Sequence, residues 1–258
     1  MEAPVPSGSG LTETRRALRN GVTVWTVGWI LWAIHAILLL VGLAALGGLL
    51  SAGVGGALPP SAVAAAIAYP GAVVSAGASA LLLGIGCIAM GTAVASSEAD
   101  APPGASKKPW GIAAFLFGFT ALSIVALLGM MGAARIGPRD EIIAAIALVL
   151  LSWILSSLIF VLAAVAMISF LETLRQAMPG APPLNGLLPV VYGIVNVIGV
   201  VLFALLLLIS LGGTISPGLL SLGALLALLV APMFGVIAAV GLLIQGLRLR
   251  GALTVGVT

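Results

Sequence analysis

Charged and apolar positions do not alternate along this chain; they come in blocks. A basic cluster, Arg15, Arg16 and Arg19, is followed by 29 residues from Val22 to Leu50 without a formal charge. As a helix that stretch would extend about 43 Å, more than the roughly 30 Å hydrocarbon core of a bilayer. Five further apolar blocks follow, and the pattern predicts transmembrane helices over residues 22–50, 71–95, 111–134, 142–171, 187–211 and 218–246. Residues 61–95 are too long for one straight span, and Pro70-Gly71 divides them. The reading is a short interfacial or re-entrant piece over Ser61–Tyr69, with the second span over Gly71–Ala95. Pro232 is expected to bend the sixth helix as Pro70 is expected to bend the second.

The fold class expected is therefore an all-α polytopic membrane bundle of six helices, a single domain over residues 22–247. Residues 1–21, rich in Pro, Gly and Ser at their start, are expected to form a flexible tail ending in the basic collar. Residues 248–258 form a second short tail. Connecting segments are marked by Pro, Gly and charge: Pro59-Pro60, the Glu98–Lys108 stretch, Arg135–Glu141 and Ala177–Gly186.

Basic residues vote on orientation. Arg15, Arg16, Arg19, Lys107, Lys108, Arg175, Arg248 and Arg250 fall on the side of the N-terminus, and only Arg135 and Arg139 fall opposite. The excess places both termini in the cytoplasm of a cell-membrane protein and supports an even number of spans. The outer turns also resemble one another: Leu46-Gly47-Gly48 leads to Pro60, Leu128-Gly129 to Pro138 and Leu211-Gly212-Gly213 to Pro217. This suggests three tandem helical hairpins, a repeat device known in membrane folds.

Composition removes several function classes. Apolar residues make up 62% of 258 and charged residues 7%, with a mean hydropathy of +1.31. Soluble domains carry about 25% charge. The net charge of +3 comes from side chains scattered among short loops. They make no stripe that tracks phosphates, so nucleic acid is not a partner. A twin-arginine export signal is disfavoured because its apolar region is about 7–15 residues, far shorter than the one here. The single Cys87 excludes an intrachain disulfide and a cysteine metal cluster.

Few side chains offer chemistry. His35, the one histidine, lies inside the first span, where an ionisable group suggests a proton relay, haem ligand or gate, or else an imidazole satisfied by packing. Tyr192 and Asn196 share a face of the fifth span and, with Ser152, Ser156 and Ser157, suggest either a polar path or interhelical hydrogen bonds. Trp25, Trp29 and Trp32 fall on one face of the first span. Trp25 is placed to anchor at the headgroup boundary, with the other two deeper, facing lipid or a neighbouring helix. Ala72, Ala76, Ala80 and Gly84 recur every fourth residue as a seam for close helix approach. There is no P-loop, zinc motif, haem attachment motif or carboxylate pair, and no acid deep in a span, so no cofactor and no enzymatic activity are expected.

The segment Gly10-Leu11-Thr12-Glu13-Thr14-Arg15-Arg16-Ala17-Leu18-Arg19-Asn20-Gly21, running straight into a long apolar helix, resembles the start of a family of archaeal multi-span membrane proteins of unknown function. The resemblance implies the build and supplies no active site. The expectation is an accessory or scaffold subunit, with the bilayer and other membrane proteins or further copies of itself as partners. The alternative is a channel or transporter for a small neutral or weakly polar solute, worked by His35, Tyr192, Asn196 and the bends at Pro70 and Pro232.

Overall fold

The computed structural model describes residues 8–52, 60–95, 107–133 and 217–254, with isolated helical positions between 168 and 201. The described residues are all helical. Numbered in chain order, the helices are α1 (Gly8–Ala52), α2 (Pro60–Ala95), α3 (Lys107–Ala133) and α4 (Pro217–Thr254). Three carry segments long and apolar enough to cross a bilayer: Glu13–Gly42, Ile67–Ala95 and Pro232–Thr254. The apolar segment of α3, Pro109–Val125, is shorter. The spans expected over 142–171 and 187–211 lie outside the described helices.

Interior and exterior of α1 are equally apolar, so polarity cannot sort its faces; size and shape do. The buried face runs Leu18, Val22, Trp25, Trp29, Trp32, Ala36, Leu39, alternating steps of four and three residues. That is the spacing of a helix seam packed nearly parallel to its neighbour. The opposite face, Val27, Ile30, Ile34, Ile37 and Val41, is β-branched and exposed. On α2 the same stepping gives a buried seam of Ala76, Ala80, Leu83, Cys87, Met90 and Val94.

These two seams meet. Gly21 lies against Met90, Gly28 against Leu83 and Gly42 against Tyr69, so α1 and α2 run antiparallel. The approach is closest at Gly86, where a Cβ would stand 2.9 Å from the Trp25 backbone nitrogen. Only glycine permits two backbones to come this near, and in lipid such close contact supplies the dispersion attraction that holds helices together. On its other side α2 meets α3, again antiparallel: Gly77 faces Ser123, Gly84 faces the ring of Phe117 and Gly91 faces Trp110. α4 packs on α1, with Gly246 against Thr26 and Trp25. Among the described helices the order is α4, α1, α2, α3.

Four expectations are corrected. The first helix begins at Gly8, not near Val22, so the arginine collar is helical. Leu11, Arg15, Arg16, Ala17 and Leu18 are good helix formers, and extending an existing helix avoids the cost of nucleation. The last helix likewise continues past Arg248 and Arg250 to Thr254, because Leu249 and Leu253 prolong its buried face. Third, Ser61–Tyr69 is no separate piece. α2 runs unbroken through Pro70, and Pro232 is likewise interior to α4. A proline removes one backbone donor, and in a membrane helix neighbouring groups and local adjustment re-satisfy what it frees. Fourth, Trp25 is no boundary anchor: with Trp29 and Trp32 it is 2% exposed, inside the bundle.

Candidate functional site

His35 projects from α1 towards α2, and its ring is buried. Its Nδ1 lies 2.8 Å from the carbonyl oxygen of Ala72. A carbonyl can only accept, so Nδ1 carries the hydrogen and donates, which in the neutral ring leaves Nε2 as the acceptor. The Ala72 oxygen is shared: Ser75 Oγ donates to it at 3.0 Å and to the Gly71 oxygen at 2.8 Å. The imidazole also packs on Trp32, with ring centroids 5.1 Å apart and planes tilted by 55°. Trp32 in turn reaches Phe119 of α3 at 6.3 Å. His35 thus ties α1 to α2 one turn from an aromatic contact that ties α1 to α3.

Two further hydroxyls do the same work elsewhere. Ser79 Oγ donates across the α1–α2 interface to the Gly28 oxygen at 2.7 Å. Thr120 Oγ1 donates to the Gly77 oxygen of α2 at 3.2 Å as well as to Leu116 within its own helix at 3.0 Å. Thr26 bonds back to the Val22 oxygen at 2.6 Å, and the missing Cβ of Gly246 leaves room for it on α4. Sequence reasoning passed over Ser79, Thr120 and Thr26. The available signal was a hydroxyl on one helix set against a glycine on another, which depends on register and so on the fold.

The chemistry-bearing residues do not converge. His35 faces Ala72, and Cys87 lies fifteen residues farther along α2, about 22 Å along the axis. Cys87 is wholly buried in the α1–α2 core. Among the described residues no three His, Cys, Asp or Glu side chains group as a metal site. Tyr192 and Asn196 lie outside the described residues, as do Ser152, Ser156 and Ser157. Pro232 is fully buried in α4 and Pro70 half-buried in α2, each within a continuous helix. The Ala72, Ala76, Ala80, Gly84 seam is buried as its spacing predicts, with Gly84 open to Phe117.

Among the described residues, His35, Ser79 and Thr120 reach backbone carbonyls of adjacent helices, while Thr26, Ser75 and Ser123 bond to carbonyls of their own helix. Comparison of the chain with protein-family models, with curated proteins and with solved structures returns no match.

Proposed function

We propose that this chain is a non-catalytic integral membrane protein, an accessory or scaffold subunit of a larger membrane assembly. Three apolar helices fit the membrane location. The observation that carries the scaffold reading is the use made of the interior polar groups. His35, Ser79 and Thr120 each bond to the backbone of a neighbouring helix, where each adds about 0.6 kcal/mol to association, which supports a packing role. The outward residues Val27, Ile30, Ile34, Ile37 and Val41 on α1, and Ile67, Val74, Leu81, Ile85 and Ile88 on α2, offer stiff β-branched and aliphatic surface to lipid or to partner helices.

The test is extraction of the tagged full chain in a mild detergent that preserves known membrane complexes, followed by mass analysis of the intact particle. Stoichiometric co-purification of other chains is expected. Recovery of this chain alone overturns the reading. A parallel reconstitution in liposomes addresses the channel alternative: flux of a small neutral solute that is lost in His35→Ala would favour transport over scaffolding.

A further inference from the structure

Packing accounts for the apolar interior, but it leaves the charge unexplained. The basic residues of α1 and the start of α3 lie at one end of the bundle. Arg15, Arg16 and Arg19 lie in the first turns of α1. The antiparallel α2 brings its own end there, and Gly91 near that end meets Trp110, so α3 starts beside them with Lys107-Lys108. α4 passes Thr26 at Gly246, and Arg248 and Arg250 follow two and four residues on. If α4 ran parallel to α1, Arg250 would stand level with Ile30, in the middle of the apolar stretch, where an ionised side chain is strongly disfavoured. Antiparallel to α1, it stands level with Val22, one turn from Arg19. The cost of an ionised Arg250 in the apolar stretch favours the second direction, which the lipid test also probes.

Glu13 is the one described acid, and it lies at the same end. Glu98 and Asp100 belong to the connecting residues between α2 and α3, outside the described residues. Arg16, Arg248 and Arg250 are exposed, and Arg15 and Arg19 half-buried. A second observation sits at the same level. Trp110 is 48% exposed, its indole lying over Gly91 on the bundle surface, unlike the buried Trp25, Trp29 and Trp32. Surface tryptophan next to basic side chains is the pattern of a headgroup boundary.

We infer that this end of the bundle binds anionic phospholipid headgroups, with Arg16, Arg248 and Arg250 holding phosphate oxygens and Trp110 set at the boundary below them. Arginine suits the task because its planar fork of N–H donors matches phosphate and stays charged at any working pH. The inference concerns lipid rather than a protein partner, so it stands or falls apart from the scaffold reading.

The test uses the full chain in non-ionic detergent, titrated with dioleoylphosphatidylglycerol or dioleoylphosphatidylcholine, with bound lipids counted by native mass spectrometry. Phosphatidylglycerol is expected to bind at least roughly tenfold more tightly, within what two or three basic side chains at an anionic surface supply. The preference weakens as salt rises. It is lost in the triple variant R16Q/R248Q/R250Q and largely kept in R16K/R248K/R250K, with thermal unfolding confirming that each is folded. Equal retention of the two lipids by the unaltered chain overturns the inference, as does an unchanged preference in the glutamine variant. Should the glutamine variant not fold, the lipid comparison and its salt dependence in the unaltered chain decide. Inorganic phosphate is expected not to displace the lipid; displacement would assign the site to free phosphate instead.

Discussion

Trp29 shows what a residue contributes here. It is fully buried between helices, its ring edge-on to Trp25 with centroids 5.5 Å apart. Truncating it leaves a cavity inside the bundle, and Trp29→Ala should lower stability by about 3 kcal/mol, the low end for a buried large aromatic. Trp110→Ala, on the surface, should cost well under half of that. Thermal unfolding of the two variants in one detergent checks the ranking, and equal losses would contradict the assignment of core and surface. Ser79→Ala removes a single interhelical hydrogen bond, and about 0.6 kcal/mol is expected by the same measurement. That Trp25, Trp29 and Trp32 share a face was legible from their spacing. Which way the face points was not, because lipid and core are both apolar and the sequence carries no polarity contrast to decide it. The partner of His35 was hidden for another reason: Ala72 is 37 residues away and contributes only its backbone.

At the level of the helix, glycine placement controls how near two elements come. Gly86 faces the Trp25 backbone, which cannot move aside, whereas Gly118 on α3 has open space where a Cβ would be. Gly86→Val should therefore destabilise by about 1–3 kcal/mol, the usual range for overpacking, while Gly118→Ala should be neutral or slightly stabilising. Unfolding midpoints that rank the other way would refute the close α1–α2 approach. The Ala72 to Gly84 seam could be read from sequence because small residues at four-residue spacing are a packing signal that does not depend on polarity. The ends of α1 and α4 could not. Charge at Arg15 or Arg248 suggests the edge of the membrane, yet a helix does not stop where the membrane does, and Leu18, Leu249 and Leu253 extend the packed face beyond the purely apolar block. Pro70 misled because the donor it removes and the carbonyl it frees can be compensated by neighbouring helices and local adjustment, which the sequence does not display.

For the whole molecule, the direction inferred for α4 predicts that the start of α1 and the end of α4 label from the same side. In a Cys87→Ala background, Glu13→Cys and Gly251→Cys, both exposed, should react with an impermeant maleimide from one side of a sealed vesicle. Labelling from opposite sides would overturn the direction inferred for α4. The thiol removed for that experiment has a use of its own. Cys87 sits wholly enclosed where α1 and α2 touch, so a reagent can reach it only when that pair parts. Its rate of modification, divided by the rate for an exposed thiol, then measures how often the first hairpin opens, much as amide exchange does for a soluble fold. The protein carries, without any label, a clock for its own breathing.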